Sequence, residues 1–229
     1  IAYDATCVHK LMPNAPVDSW RLVFDPAVTA KLATCGFSIV DAPSDVIASA
    51  LIYLGLDPNS AAPQDLLAAR QVLDGIRPSV RKIDVDSQIN DLVGGDICVM
   101  LTWPTSAVIA SARRAEARND ADIRYVIPRE GAIMWFDMLG IPVDAPHALE
   151  AHAFIDYLMR PEVAAATANY VGNSSMNRAA IPHVLASIRD DPSHYPPPEV
   201  MKRLTFLRLD DQEQSRAESR IWTRFRTGQ

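Results

Sequence analysis

The chain has 229 residues, of which 48% are hydrophobic and 22% charged, with 17 prolines and 9 glycines spread along it. That length and composition exclude a small disulfide scaffold and bulk disorder, and they suit one large domain or two modest ones. Twenty-two basic residues against 28 acidic ones give a net charge of -6 with no basic block, which argues against a nucleic-acid partner.

Proline and glycine divide the sequence into short apolar runs alternating with helical stretches, the pattern of an α/β architecture. The first strand-like run covers 37–40. Asp41 follows as the expected N-cap of a helix with Pro43 and Asp45 in its first turn, carried by the apolar run 46–54 and ended by Gly55. The most apolar stretch, 46–56, is interrupted by Ser49 and falls far short of the roughly 20 residues a membrane-spanning helix needs. Pro63 opens a second helix through Leu66, Leu67, Val72 and Leu73. Gly94-Gly95, between Asp91 and Asp96, lacks a phosphate-binding pattern and reads as a tight turn into the strand expected over 97–103. Further strands are expected over 123–127 and 132–139, then a helix over 146–159 with Leu149, Phe154, Ile155 and Leu158 at helical spacing. Arg160-Pro161 separates it from the Ala-rich stretch 163–170, and Pro196-Pro197-Pro198 makes a rigid turn before the terminal helices.

Signatures of catalysis fail in turn. No G-x-S-x-G elbow is present, and His9, His147, His152, His183 and His194 form no H-E-x-x-H or other zinc spacing. An enzyme is therefore not expected, nor a cofactor or metal. Three cysteines, Cys7, Cys35 and Cys98, are an odd number with no C-x-x-C pair, and by themselves leave the compartment open. The residues that remain are acids and indoles at strand ends and helix starts, where open α/β sheets place ligand sites. They are Asp45, Trp103, Trp135 and Asp137, the last two spaced to share one face of a strand. Each also has a structural reading: Asp45 as a helix-dipole partner, the tryptophans as core aromatics, Asp137 as a strand-end cap.

Seven blocks in order carry a resemblance that covers the whole chain: Asn14-Ala-Pro-Val-Asp-Ser-Trp20, Thr34-Cys-Gly36, Asp41-Ala-Pro43, Tyr53-Leu-Gly55 with Asp57-Pro-Asn-Ser60, Ile89-Asn-Asp-Leu92 with Gly95-Asp-Ile-Cys-Val99, Ile127-Pro with Glu130-Gly-Ala132, and Tyr195-Pro-Pro197. In these the sequence resembles the putrescine-binding periplasmic proteins of polyamine ABC transporters. The resemblance implies an α/β, type II periplasmic-binding-protein fold of two lobes, each with a mixed sheet flanked by helices, the first lobe being incomplete in this chain. It assigns 1–118 to the second lobe, 119–178 to a return segment of the first lobe and 179–229 to a C-terminal segment of the second. The match places the family's signal peptide and first lobe segment ahead of Ile1.

Carried over by motif, Asp45 stands where putrescine binders have Glu, one methylene shorter, and Trp103 is the indole after the Gly-Asp-Ile-Cys-Val strand. Ser106 stands where spermidine binders tend to have an acid, Trp135 where putrescine binders tend to have Phe, and Asp137 is the acid that follows. Leu207 is the putrescine-like choice at a site separating the two subclasses, and Asn173 replaces a usual Tyr. The implied ligand is a small cationic polyamine, putrescine first, held in an interlobe cleft and delivered to an inner-membrane ABC permease. Spermidine, another organic cation, or a sensor domain acting by protein contact are the alternatives. A diamine slot needs carboxylates toward its ends and apolar or aromatic walls between them, which these residue types supply. The resemblance also implies a Cys35–Cys98 disulfide, in keeping with a periplasmic protein, and leaves Cys7 as a free thiol expected to be buried.

Overall fold

The computed structural model describes residues 1–117, 122–209 and 211–228. In chain order, β1 (Ala2–Asp4) leads through α1 (Ala5–Leu11), α2 (Arg21–Phe24) and α3 (Pro26–Leu32) to β2 (Phe37–Ile39), followed by α4 (Pro43–Tyr53) and α5 (Pro63–Ile76). β3 (Lys82–Ile83), α6 (Gln88–Gly94), β4 (Val99–Leu101), α7 (Pro104–Glu116), β5 (Ile123–Tyr125) and β6 (Ala132–Met134) come next. α8 (Ala148–Leu158), α9 (Pro161–Val171), α10 (Ala186–Arg189) and α11 (Pro198–Met201) precede β7 (Leu204–Phe206) and α12 (Gln212–Thr227).

Two compact units result, one from Ile1–Met134 with Pro198–Gln229 and the other from Trp135–Pro197. The lobe boundary expected at 118/119 lies outside the described residues. In the larger unit a five-stranded mixed sheet runs β3-β2-β4-β1-β5. β2 pairs in parallel with β3 and β4, while β1 is antiparallel to both β4 and β5. β6 and β7 form a separate parallel pair.

Alternation along the strands divides the core. Phe37, Ile39, Val99 and Leu101 face the main apolar cluster, with Phe24, Val46, Leu51, Leu73 and Phe225, whereas Met100 faces a second cluster of Ala2, Leu92, Ile97, Ala107 and Ala110. Ser38, buried between Phe37 and Ile39, is satisfied by the Gln88 amide, whose Nε2 donates at 2.8 Å. Every residue of α4 from Val46 to Ile52 is buried, and its one polar side chain there, Ser49, donates to the Asp45 carbonyl at 2.7 Å, so the helix interior holds no orphaned hydroxyl.

The smaller unit is helical among the described residues. α9 packs against the turn Arg178–His183 around Ala165, Ala168, Ala180, Val184 and Ile188. α8 buries none of its residues, and Leu149 and Phe154 of its apolar stripe are exposed.

Three expectations need correction. The strand expected over 132–139 stops at Met134, because β7, its partner among the described residues, ends opposite at Phe206. Trp135 and Asp137 therefore lie beyond the strand and share no strand face. Asp41 does not cap α4: the N-cap position is Ala42, and the Asp41 carboxylate instead accepts from the Trp222 indole at 2.7 Å. Cys7 is free as expected but half-exposed rather than buried, because α1 lies at the surface with its neighbour Thr6 open to solvent.

Gly36 shows how tightly the sheet entrance is built. Its φ is +90°, and a Cβ there would overlap the Asp96 carbonyl oxygen. Gly36→Ala is accordingly expected to cost at least about 1–3 kcal/mol, the usual range for a non-glycine residue forced into that region. Urea denaturation reads it directly, and an unchanged midpoint would refute the tight packing of this turn.

Candidate functional site

β2 and β4 are parallel neighbours, so their C-terminal ends lie side by side and each hands the chain to a helix. The Val40 amide donates to the Leu101 carbonyl at 3.0 Å, which carries the pairing one residue past the strand. Both helices begin with proline, Pro43 in α4 and Pro104 in α7, whose fixed φ and missing N–H suit the first helical position. The same offset then places Asp45 and Ser106 each in a first turn. Trp103 occupies the N-cap position of α7 in an extended conformation.

This geometry joins two of the expected site residues 58 positions apart, for the Trp103 indole Nε1 donates to Asp45 Oδ2 at 2.9 Å. Asp45 and Trp103 are both half-buried, and Trp103 also packs on the main apolar cluster. Burial pushes the Asp45 carboxyl above its ordinary range, and the indole bond partly opposes that shift. A desolvated carboxylate beside an aromatic wall, with the indole using one of its two oxygens, can take an ammonium group. The helix-dipole and core readings hold at the same time, since Asp45 lies in a helix's first turn and Trp103 touches the core.

Ser106 is half-buried on the same helix start, its amide donating to the Trp103 carbonyl at 3.1 Å. Leu207, half-buried, follows β7 directly. Asn59 brackets it: Asn59 Nδ2 donates to the Phe206 carbonyl at 3.0 Å and its Oδ1 accepts from the Arg208 amide at 2.7 Å. Trp135 and Asp137 are exposed residues of the smaller unit, so Trp135 is not a core aromatic and Asp137 does not end a strand. Asn173 sits just past α9, where its amide donates to the Ala168 carbonyl at 3.1 Å beside Gly172, which has φ +70° and ends the helix.

Sequence reasoning missed how the start of α4 is held. Glu218, Trp222 and Arg226 recur at i, i+4 and i+8 along α12, a single stripe. Glu218 accepts from the Ser44 hydroxyl at 2.8 Å, Trp222 donates to Asp41, and Arg226 pairs with the Asp41 carboxylate at 3.2 Å. Two residues that lead into Asp45, Asp41 and Ser44, are thus fixed by the C-terminal helix. The i, i+4 spacing of that stripe was the only sequence signal for it.

Blocks that carry the resemblance also meet in the fold. The Glu130 carboxylate accepts from the Ser19 hydroxyl and, at 3.2 Å, from the Trp20 amide, while the Trp20 indole donates to the Gly131 carbonyl at 2.8 Å.

Comparison with known proteins agrees with this architecture. The family described as "Bacterial extracellular solute-binding protein" matches residues 1–195. The chain is 41% identical to the putrescine-binding periplasmic protein PotF of Escherichia coli (strain K12) over 230 residues, covering 100% of this chain and 62% of that protein. It is 43% identical over 216 residues to the putrescine-binding periplasmic protein SpuD of Pseudomonas aeruginosa (strain UCBPP-PA14), covering 94% of this chain and 59% of that one. Among solved structures, the spermidine/putrescine ABC transporter substrate-binding protein PotD from Streptococcus pneumoniae superposes with a TM-score of 0.82 at 25% identity, over 99% of this chain and 65% of its own. The chain thus spans about three fifths of the length of these relatives.

Proposed function

This chain belongs to the bacterial extracellular solute-binding protein family, and from that membership we propose that it is part of a periplasmic receptor that captures a polyamine, putrescine first, and delivers it to an inner-membrane ABC permease. The observation that carries the reading is the half-buried Asp45 carboxylate held by the Trp103 indole at the joined ends of β2 and β4. One ammonium of the ligand meets the carboxylate, and its methylenes lie against the indole. Each charge-assisted hydrogen bond of this kind contributes about 1.5–3 kcal/mol, and a desolvated cation–π contact about 2 kcal/mol.

The resemblance adds Trp135, Asp137 and Asn173 to the proposed ligand contacts, with Asp137 as the main ammonium partner. Ser106 and Leu207, a small hydroxyl and an apolar side chain, favour a diamine over a triamine because neither offers a carboxylate to a further amine. No catalytic step is proposed: the ligand is bound and released unchanged.

Calorimetric titration of the protein with putrescine, spermidine and 1,4-butanediol tests the reading. Butanediol keeps the chain length and loses both charges. Saturable binding of putrescine, weaker binding of spermidine and none of butanediol is the expected order. Spermidine binding more tightly than putrescine would assign the longer ligand, and equal binding of butanediol would eliminate ammonium recognition altogether.

A further inference from the structure

The three cysteine sulfurs of the chain form one cluster. Cys35 and Cys98, 63 residues apart with Cα atoms 5.5 Å from each other, are joined in a disulfide. The free thiol of Cys7 lies beside it, and the three Sγ atoms are all within 4.8 Å of one another. Cys7 is the third residue of α1, fixed there because the Asp4 carboxylate caps the helix by accepting from the Cys7 amide at 3.0 Å. The Asp4 amide in turn donates to the Cys98 carbonyl at 2.9 Å, which locks the start of α1 to the start of β4.

A free thiol close beside a disulfide is the arrangement thiol–disulfide exchange starts from. We propose that Cys7 is the attacking thiol of an internal exchange that converts the Cys35–Cys98 disulfide into a Cys7–Cys98 disulfide with Cys35 free. The Cys7 thiol gives its proton to water, its thiolate forms a bond to Cys98 Sγ, the Cys35–Cys98 bond breaks, and Cys35 leaves as a thiolate that takes up a proton. One disulfide and one thiol stand on each side, so no oxidant or reductant enters.

The direction follows from exposure. Cys98 is 2% exposed and Cys35 is half-exposed, so a thiolate leaving at Cys35 is solvated whereas one leaving at Cys98 would be buried. The better leaving group departs faster, which selects Cys98 as the sulfur attacked. Burial and the nearby Asp4 carboxylate hold the Cys7 thiol above its ordinary range, against the smaller opposing effects of Lys10 and Arg114, which keeps the exchange slow at rest. Its product moves the staple from the turn before β2 to helix α1, leaving β4 anchored in both forms.

The exchange stands apart from ligand binding and is read without any ligand. The protein is held without reductant in mildly alkaline buffer, quenched at intervals with iodoacetamide, digested unreduced and mapped by mass spectrometry. Label on Cys35 together with a Cys7–Cys98 peptide, increasing with time and independent of protein concentration, is the expected result. Both are expected to vanish in Cys7→Ser and in Cys7→Ala. Label confined to Cys7 at all times would overturn the proposal. So would a Cys7–Cys35 peptide with label on Cys98, which contradicts the direction, or exchange that requires disulfide-linked dimers.

Discussion

Asp45→Asn is expected to lower the affinity for putrescine roughly 10- to 150-fold, the loss of one charge-assisted hydrogen bond of about 1.5–3 kcal/mol, without lowering the stability of the folded protein. The substitution keeps the oxygen that accepts from the Trp103 indole and removes only the charge. The two effects have opposite signs for one physical reason. Burial raises the folded-state pKa of Asp45 above its unfolded value, so the group favours folding where it is protonated, and that contribution is lost as pH rises through the raised value. At neutral pH the native protein therefore carries a carboxylate that opposes folding and, in the proposed function, serves the ligand. Asparagine removes the opposition, so the melting temperature is equal or higher at neutral pH, and the difference disappears in acid. Calorimetry and thermal denaturation across pH measure both effects. A variant that loses stability in step with affinity would make Asp45 a structural residue.

The second large effect concerns the staple. Replacing both Cys35 and Cys98 by alanine lowers stability by about 4 kcal/mol on the chain-entropy account of a loop this long, which for a protein of this size lowers the melting temperature by roughly 8–16 °C. The double replacement is needed because Cys7 lies close enough to re-pair with a single remaining partner. Cys35 precedes β2 and Cys98 precedes β4, the strands whose far ends carry Asp45 and Trp103. Removing the staple frees the entrance of both. Thermal denaturation of the double variant beside Cys7→Ala gives the comparison, and equal melting temperatures would mean that the disulfide adds nothing to the fold.

How much of this could be read from the sequence depended on what each signal measures. Proline at a helix start is a local property of one residue: α5 begins at Pro63 as expected, while α4 begins at Pro43 itself rather than behind an Asp41 cap, and α9 takes in Pro161, which the sequence reading placed ahead of the Ala-rich run. The turn at Gly94-Gly95 was local too, and Gly95 has φ +83°. Strand existence is not local. β1, β3 and β7 are two or three residues long, too short for any periodicity, and exist because a partner strand lies beside them. The apolar run past Met134 failed for the complementary reason, since hydrophobicity continued where pairing did not.

The site divides in the same way. The strand-end and first-turn positions of Asp45 and Trp103 could be counted along the chain, whereas Ser106 was singled out by the resemblance alone. The Asp45–Trp103 hydrogen bond, the Asn59 bracket around Leu207 and the α12 stripe that holds Ser44 and Asp41 join residues 58 to 185 positions apart, which only the fold brings together.

The central claim, that the Asp45 carboxylate receives an ammonium group, is tested most directly by the carbon-13 chemical shift of that carboxyl, titrated with pH in the free protein and with saturating putrescine. The expected result is a pKa above the ordinary carboxylate range in the free protein that falls when putrescine binds, because a nearby cation favours the charged form. Binding of putrescine with no change in the Asp45 titration would contradict the claim and move the ammonium to other residues.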